Sequence, residues 1–411
     1  MSDLITRRDA LKTGGMIAVG LMAPSWLSAI TKSDMVREAE GGGKPDPGTV
    51  LIVCQLSGGN DGLNTVVPFT DQQYYKLRPT LGIPGDKALK LNDSLGLHPS
   101  MAGLHGLFKA GKVAVIQGVG YPNPNRSHFR SMDVWQSASP ELKFPTGWIG
   151  RYMDMELANH GGTLNPVVGL GLSTEKPRAL AAEKASVPCF ASLADIQGMV
   201  GDADMEKMLR QIQGSQSGDA SARAIQQANN SAFDAMSILR DRLSKFKPVQ
   251  NYGDTPFGTG FKQIANLVAT SPQTRVIYFS VGGFDTHARQ TDAHERLLGG
   301  LSTALAAFQA EVEALGMADK VMVLVFSEFG RRSFENASGG TDHGAAAPMF
   351  LVGKKVKGGV YGKNPDLLNL QDGDVRFTTD FRSVYAATLD EWMGSDSGKI
   401  LGGSFGGLKV F

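Results

Sequence analysis

The chain has 411 residues, of which 42% are hydrophobic and 20% are charged, a composition typical of a globular protein with a substantial core. Its formal net charge of +1 gives no indication of a nucleic-acid or anionic-membrane partner, and we expect neither. Of the two cysteines, Cys54 lies in an apolar strand pattern and is expected to be a buried thiol, and spacing alone does not establish a disulfide with Cys189.

Residues 1–30 have the layout of a signal peptide. The adjacent Arg7 and Arg8 precede an uncharged stretch over residues 13–23, and small residues follow. The pair resembles the twin-arginine (Tat) export motif, except that Ala10 stands where the motif usually has Phe. A membrane anchor is the weaker interpretation, because the stretch is about half of the ~20 apolar residues that a spanning helix needs. We therefore predict a periplasmic or extracellular protein that uses the Tat translocation machinery and has no stable membrane span.

The next segment, residues 31–48, is polar and rich in Gly and Pro, which indicates a flexible linker. The domain that we predict after it covers residues 49–411 and begins with a continuous apolar run over residues 50–56. A strand that is buried on both faces of a parallel sheet has such a run, so we place the first strand here. A glycine-rich loop over residues 57–62 follows directly.

Further apolar runs of strand length recur along the chain, and a helical pattern over residues 293–315 separates two of them. Alternating strands and helices at this spacing predict an α/β fold with a mostly parallel central sheet that is covered by helices on both faces. The other predicted strands cover residues 112–117, 275–281, 321–326 and 348–352.

Two helical segments complete this prediction. Residues 204–245 have a helical pattern that is polar on one face and is interrupted by a Gly/Ser-rich stretch, which indicates a helical insertion rather than a separate domain. Asp380 stands at the N-cap of a last amphipathic helix, and we expect this helix to end before Gly394.

Three predicted strand ends carry side chains that bind metal ions. Asp285 and His287 follow one strand, Glu328 follows the next, and His343 precedes the one after that. Because ligands gather at the carboxyl ends of parallel strands, we predict that these side chains share one site. Carboxylate and imidazole ligands suit Zn, Mn or Fe. A single loop histidine more often only forms hydrogen bonds, so the prediction depends on finding two of the seven histidines beside carboxylates at strand ends.

A second candidate site follows the 112–117 strand, where a stiff Pro-Asn-Pro-Asn loop leads to Arg126, Ser127 and Arg130. We predict that Ser127 opens a helix, whose free N–H groups and dipole favour a bound anion. Arg126 and Arg130 add positive charge, and a hydroxyl group at this place is suited to attack a phosphate or sulfate ester. The simpler interpretation is that Ser127 only caps the helix.

Five motifs extend over the predicted domain: LSGGNDGLNTVVPF (56–69), NPNRSHF (123–129), GGFDTH (282–287), SEFGR (327–331) and GGTDHGAAAPMFLVG (339–353). As a set they resemble a widespread group of Tat-exported bacterial proteins of unknown function, which is placed within the alkaline phosphatase and sulfatase superfamily. The resemblance covers about residues 48–411. It implies a three-layer α/β/α fold, alkaline phosphatase-like, with one or two metal ions at the strand ends.

The resemblance also implies roles for individual residues. Asp285, His287 and His343 match an Asp, a nearby His and a late His that hold one metal ion in the superfamily, although Asp and His are four residues apart in alkaline phosphatases and two apart here. The nucleophile of the superfamily falls at about Ser127. The resemblance therefore implies a metal-dependent hydrolase in which a serine attacks the substrate.

The second metal ion of the superfamily takes an Asp after the first strand and an Asp-His pair after a later one. Ser57 and Glu328–Phe329 stand at those places, and Phe329 does not bind metals. Asp61 and Glu328 are the remaining candidates for a second ion. A different alignment makes Asp342–His343 the pair, but the order of the strands favours Glu328–Phe329.

Two hypotheses about function follow from these residues. The first is an exported metal-dependent hydrolase that cleaves a phosphate or sulfate ester, in a small molecule or a polymer, through Ser127. The second is a non-catalytic exported binding or assembly protein that retains the fold with a degenerate metal site. Stoichiometric Zn, Mn or Fe in the purified protein favours the first hypothesis.

Overall fold

The computed structural model describes residues 48–194 and 220–411. The predicted signal peptide (residues 1–30) and all but the last residue of the predicted linker (residues 31–48) lie outside the described residues, so both stay predictions. In the part of the chain that is described, no helix has both the length and the apolar character needed to cross a membrane.

Twelve strands occur in the described ranges, and nine of them form one mixed sheet. In chain order they are β1 (Val50–Leu56), β2 (Val66–Val67), β3 (Leu89–Lys90), β4 (Gly96–Leu97), β5 (Val113–Gly120), β6 (Gly169–Leu172), β7 (Cys189–Phe190), β8 (Val276–Val281), β9 (Val321–Phe326), β10 (Ala347–Val352), β11 (Gly359–Tyr361) and β12 (Thr379–Asp380). The large sheet has the order β11-β5-β10-β9-β1-β8-β6-β7, with β12 paired to β5, while β2, β4 and β3 form a small separate sheet.

Ten α-helices surround these sheets in the described residues. They are α1 (Gly62–Thr65), α2 (Gln72–Leu77), α3 (Ala102–Lys109), α4 (His128–Ser137), α5 (Trp148–Asn159), α6 (Ala220–Leu243), α7 (Pro256–Thr270), α8 (Gln290–Ala314), α9 (Phe381–Ala387) and α10 (Ser397–Leu401). The side chain of Asp380 caps α9, a π-helical turn continues that helix over Thr388–Trp392, and the chain leaves it through Gly394 at φ 65°. The expected last helix is thus present, with a π turn at its end.

Alternate residues of β1 belong to two separate cores. Ile52 and Cys54 pack in one core with apolar side chains from α7 and α8, and Leu51 and Val53 pack in the other with side chains from α4, α5 and α9. The central strand is therefore buried on both faces, which explains its uninterrupted apolar sequence. The expected α/β architecture, a mostly parallel sheet with helices on both faces, is confirmed. Both cysteines are free thiols.

The loops that carry the candidate residues lie at one edge of the large sheet. β1 runs parallel to β8 and β9, and β10 lies antiparallel between β9 and β5, so β1, β5, β8 and β9 all end at the same edge. Because β10 runs in the opposite direction, the loop that connects β9 to β10 both begins and ends at this edge. Four loops that are far apart in the sequence, those after β1, β5, β8 and β9, therefore meet there.

The predicted helical insertion, residues 204–245, is described only in part. Helix α6 (Ala220–Leu243) lies within it and contacts α7, and Leu239 of α6 is fully buried in the core. Residues 195–219 lie outside the described residues. The bounds of the insertion, and the assignment of residues 49–411 to one domain, stay predictions.

Candidate metal centre

Four side chains converge at this edge of the sheet: His128, Asp285, His287 and His343. The Nε2 atoms of His287 and His343 each lie 3.0 Å from Oδ1 of Asp285 and 2.9 Å from each other. Nε2 of His128 lies 3.5 Å from Oδ2 of Asp285. Tetrahedral ligands at ~2.0–2.1 Å from a zinc ion lie about 3.3 Å from one another. The ligand atoms of His128, Asp285 and His343 all lie within 4.8 Å of one another, so these three side chains fit a shared cation, and His287 adjoins them through Asp285 and His343.

The second ring nitrogen of each histidine is held by an oxygen atom at hydrogen-bond distance. The Nδ1 atom of His128 lies 3.0 Å from Oε1 of Glu328, that of His287 lies 3.0 Å from Oδ1 of Asp342, and that of His343 lies 2.8 Å from the backbone oxygen of Arg126. We assign Nδ1 as the donor in all three, because the backbone oxygen and the ionised carboxylates only accept. In the neutral imidazole each Nε2 then carries a lone pair, and these lone pairs face Asp285. A divalent cation relieves their mutual repulsion, and such Nδ1 partners are usual around metal-binding histidines.

Asp285 is the carboxylate at the centre of this group, and half of its side chain is exposed. Its partial burial raises the pKa, but the hydrogen bond and positive charge of Arg331, together with the contact with His343, outweigh burial and hold the pKa of Asp285 at about 2. Nη2 of Arg331 donates to Oδ1 of Asp285 over 2.7 Å. The carboxylate is therefore ionised across the physiological range and is ready to bind a cation.

Glu328 lies behind His128 rather than beside Asp285. Its fully buried carboxylate accepts hydrogen bonds from the backbone N–H of Gly58 over 2.8 Å and from Nδ1 of His128 over 3.0 Å. The hydrogen bond to Glu328 is the main cause that raises the pKa of His128 above its ordinary value. Phe329, which is 1% exposed, places its ring against both His128 and His343. Glu328 and Phe329 thus hold imidazole rings in place.

Asp61 lies in a buried polar network apart from the histidines. Its Oδ2 forms an ion pair with Nη1 of Arg78 at 2.6 Å and also accepts from Nε2 of Gln290, while Oδ1 accepts from the backbone N–H of Asn64 at the start of α1. Burial alone raises the pKa of Asp61, but the charge and hydrogen bond of Arg78 lower it below its ordinary value. Protein donors therefore occupy both oxygens of this predicted ligand.

Ser127 is exposed and stands at the N-cap of α4, directly before His128. Its hydroxyl group makes no capping hydrogen bond, so the helix does not use it in the way that the simpler interpretation assumes. Arg126 forms an ion pair with Asp374 at 2.6 Å, and Arg130 is exposed on the first turn of α4. The predicted serine thus borders the histidine group through its chain neighbours.

The structure brings Asp285, His287 and His343 together, and it places His128 and the buried Arg331 beside them. In the sequence, His128 stands directly after Ser127 at a helix start, and no neighbouring carboxylate marks it as a metal ligand. Arg331 is 2% exposed although it directly follows the SEFG segment of a loop. Its position after a strand end, beside the histidine-bearing loops, is the only sequence signal that could have indicated its role.

Glycine permits the close approach of the loops that form this centre. Gly58 has φ 120°, and a Cβ atom at this position would lie 2.4 Å from the backbone nitrogen of Asp285. Gly59 has φ 79°, and its Cβ atom would lie 2.2 Å from the ring of Phe329. Gly58 is therefore required for packing against the loop after β8, and Gly59 for packing against Phe329 in the loop after β9.

The fold and this group of side chains define an α/β protein with a histidine–aspartate centre at the carboxyl edge of its sheet. The chain belongs to the family described as "Protein of unknown function (DUF1501)", whose model matches residues 49–407. A comparison with curated protein sequences finds no match.

Solved structures with a similar fold include several that their descriptions call sulfatases, synthases or members of the alkaline phosphatase superfamily. The PsFucS1 sulfatase from Pseudoalteromonas sp. has 9% identity and a TM-score of 0.38 over 96% of this chain and 77% of that chain. The lipoteichoic acid synthase LtaP from Listeria monocytogenes has 10% identity and a TM-score of 0.35 over 96% and 80%. An alkaline phosphatase superfamily protein from Vibrio parahaemolyticus has 9% identity and a TM-score of 0.31 over 87% and 72%. At these identities and TM-scores, the likenesses support no statement about the activity of this chain.

Proposed function

We propose that this chain is an exported metal-dependent hydrolase that cleaves a phosphate or sulfate ester. The observation that supports the proposal is the convergence of three imidazole Nε2 atoms on the ionised carboxylate of Asp285. The ligands of the ion are His128, Asp285, His287 and His343. This donor set does not by itself distinguish Zn from Mn or Fe.

When it is bound, the metal ion supplies positive charge that stabilises negative charge on the oxygens of the ester. The chain itself supplies the nucleophile. Ser127 is exposed, its hydroxyl group makes no capping hydrogen bond, and the N–H groups of the first turn of α4 favour an anion next to it. The Ser127 oxygen forms a bond to phosphorus or sulfur while the bond to the alcohol breaks, and the hydroxyl proton passes through water to the oxygen of the leaving alcohol. A water molecule then cleaves the Ser127 ester, which releases the phosphate or sulfate and returns a proton to the Ser127 oxygen. Arg130 is exposed one turn further along and adds positive charge on the same side.

The test combines a substrate screen with one substitution. The full-length chain, loaded with Zn, Mn or Fe, is assayed on aryl phosphates, phosphodiesters and aryl sulfates. Ser127→Ala is expected to abolish turnover and to leave metal content unchanged, whereas Ser94→Ala, in another exposed loop, is expected to change neither. Unchanged turnover in Ser127→Ala would show that Ser127 is not the nucleophile.

One observation favours a second candidate, a non-catalytic exported binding or assembly protein. The Asp61 oxygens are occupied by protein donors, and Phe329 fills a place where a ligand is expected, so the ligands for a second ion are missing. A protein that purifies without metal, and that chelator does not destabilise, supports this candidate. A metal-loaded protein that hydrolyses any ester of the screen excludes it.

Export by the Tat machinery is part of the proposal and has its own test. Replacing Arg7 and Arg8 by Lys keeps the charge and removes the arginine pair, and we expect the double variant to remain in the cytoplasm. Cell fractionation of the two forms measures this. Equal export of the variant and the unaltered chain would contradict the Tat assignment.

A further inference from the structure

We propose that this centre takes a single divalent ion and that the buried guanidinium of Arg331 positions Asp285 for it. The proposal rests on the metal-dependent function above and adds the number of ions and a positioning residue. It follows from two features of the sheet edge: the hydrogen bonds of Arg331 and the way in which the neighbouring carboxylates are already occupied.

Arg331 is enclosed by oxygen atoms from three loops. Five acceptors surround its guanidinium: the backbone oxygens of Gly58, Gly59, Phe284 and Thr341, and Oδ1 of Asp285. These acceptors come from the loops after β1 and β8 and before β10. A planar guanidinium with five N–H donors suits such a group, whereas the ammonium of lysine donates from a single atom.

This arrangement ties the Asp285 side chain to the fold before any ion binds. The Asp285 carboxylate is half exposed, and Nη2 of Arg331 donates to its Oδ1 over 2.7 Å. Arg331 also pairs through its backbone with His343 in an isolated antiparallel bridge. Arg331 therefore fixes the Asp285 carboxylate through its side chain and the position of His343 through its backbone.

The count of one ion follows from the other carboxylates at this edge. Asp61 is satisfied by Arg78, Gln290 and a backbone N–H. Glu328 accepts from Gly58 and His128, and Asp342 accepts from His287 and Asn336. Asp285 alone combines an exposed carboxylate with converging Nε2 atoms. In residues 48–194 and 220–411, the one group with the spacing of a metal site is His128, Asp285 and His343, and Nε2 of His287 lies 2.9 Å from Nε2 of His343 beside it.

Metal stoichiometry tests the count directly. The full-length chain is stripped with chelator and titrated with Zn²⁺ and with Co²⁺, and bound metal is measured by elemental analysis and calorimetry. One ion per chain is expected. Two ions would overturn this inference and leave the proposed hydrolase standing, whereas no bound ion would overturn the proposed function as well.

Two substitutions test the positioning role. Arg331→Met removes the charge and the donors, and Arg331→Lys keeps the charge but donates from a single nitrogen atom. We expect both to weaken Co²⁺ binding by roughly 10- to 100-fold, the effect of losing a partner of a metal ligand, and to change the visible absorption of the bound Co²⁺. Unchanged affinity in Arg331→Met, or full affinity in Arg331→Lys, would overturn the positioning role.

Arg78→Met is the matched control. Arg78 is also buried, pairs with a carboxylate and donates to backbone oxygens of Arg332 and Ser333, but it does not touch the histidine group. It is expected to lower stability and to leave Co²⁺ affinity and absorption unchanged. If either arginine variant fails to fold, Arg382→Met, at a partly buried ion pair with Asp380, replaces the control, and the metal count of the unaltered chain still decides the inference.

Discussion

Two buried arginines, Arg78 and Arg331, each pair with a carboxylate near the same edge of the sheet, but the two carboxylates have different surroundings. Nη1 of Arg78 lies 2.6 Å from Asp61, and Nη2 of Arg331 lies 2.7 Å from Asp285. The Asp61 side chain is 1% exposed, whereas that of Asp285 is 48% exposed. The Arg78–Asp61 pair is thus shielded from solvent, and we call it the closed pair. The Arg331–Asp285 pair is open to solvent at its carboxylate, and we call it the open pair.

The difference lies in the remaining neighbours of each carboxylate. Asp61 receives further hydrogen bonds from Gln290 and from a backbone N–H, so both of its oxygens are already engaged by protein donors. Asp285 faces imidazole nitrogens that have lone pairs instead of protons to offer. A carboxylate therefore becomes a metal-ligand candidate when its neighbours are acceptors, and a structural anchor when they are donors.

Gln290 connects the closed pair to the loops that carry the histidines. Its amide nitrogen donates to Asp61, and its amide oxygen accepts from the hydroxyl groups of Thr286 and Thr341. Thr286 precedes His287, and Thr341 lies two residues before His343. The closed pair therefore supports the loops that carry His287 and His343. The variants below test whether the closed pair determines stability while the open pair determines metal binding.

The largest effect is expected from Asp285→Asn. The amide keeps the shape but loses the charge and turns one oxygen into a donor, so metal affinity should fall by more than the ~100-fold that loss of an outer partner costs. Calorimetric titration with Zn²⁺ measures the affinity. Asp319→Asn, at an exposed ion pair with Lys354, is the control and should bind as the unaltered chain does. Retained affinity in Asp285→Asn would remove this residue from the ligand set.

Asp61→Asn should lower stability and leave metal binding unchanged. It leaves the guanidinium of Arg78 buried without its counter-charge, and breaking a buried pair in this way costs about 3–5 kcal/mol of unfolding free energy. Urea unfolding measures the loss, and metal stoichiometry should stay the same. A variant that is stable but has lost metal would make Asp61 a ligand and remove the distinction between the two regions.

His294, which lies beside the closed pair, should make the free energy of unfolding depend on pH. Its Nε2 lies 2.9 Å from Oδ1 of Asn60, and burial lowers the pKa of His294 from 6.5 to about 4. The folded protein therefore disfavours protonation, so the stability that His294 contributes is complete above pH 6.5 and is lost as the pH falls toward 4. The loss amounts to about 3 kcal/mol at ~1.4 kcal/mol per pH unit.

The groups that act electrostatically on His294 are Asp61, Arg78, His98 and Arg331. To isolate the histidine from them, unfolding free energies of His294→Gln and the unaltered chain are compared at several pH values. The difference between the two should shrink as the pH falls from 7 to 4. A constant difference would contradict the low pKa of His294.

The smallest effect is expected from Glu328→Gln. The glutamine oxygen still accepts from Nδ1 of His128, but the charge that holds this ring is lost, so metal affinity should fall by roughly tenfold. Glu328→Ala removes the acceptor too and should bind more weakly than Glu328→Gln. Co²⁺ titration of the two variants provides the comparison, and equal affinities would show that Glu328 does not act through His128.

The sequence by itself predicted the architecture well where the elements are long. β1 and β9 have the predicted bounds, because buried strands of six or seven residues read as uninterrupted apolar runs. Helix α8 follows a helical pattern over many turns. The sequence pattern does not predict the short strands β2, β3, β4, β6, β7, β11 and β12, because two to four residues contain too little periodicity to be recognised.

The candidate site was predicted in part for a similar reason. Asp285, His287 and His343 follow or precede long strands, so knowing that the strands are mostly parallel suffices to bring them together. Asp61 also follows a strand, and nothing in the sequence distinguishes its surroundings from those of Asp285. Only the folded chain shows that Arg78 and Gln290, from other segments, occupy its oxygens.

The tertiary structure alone decided the roles of His128, Glu328 and Arg331. Which nitrogen of His128 faces Asp285 depends on the acceptor behind it, and Glu328 reaches that place from 200 residues away. Arg331 is buried because loops from three parts of the chain surround it with oxygen atoms. Sequence patterns record the burial of whole elements, whereas ligand geometry depends on contacts between distant side chains, and those contacts exist only after folding.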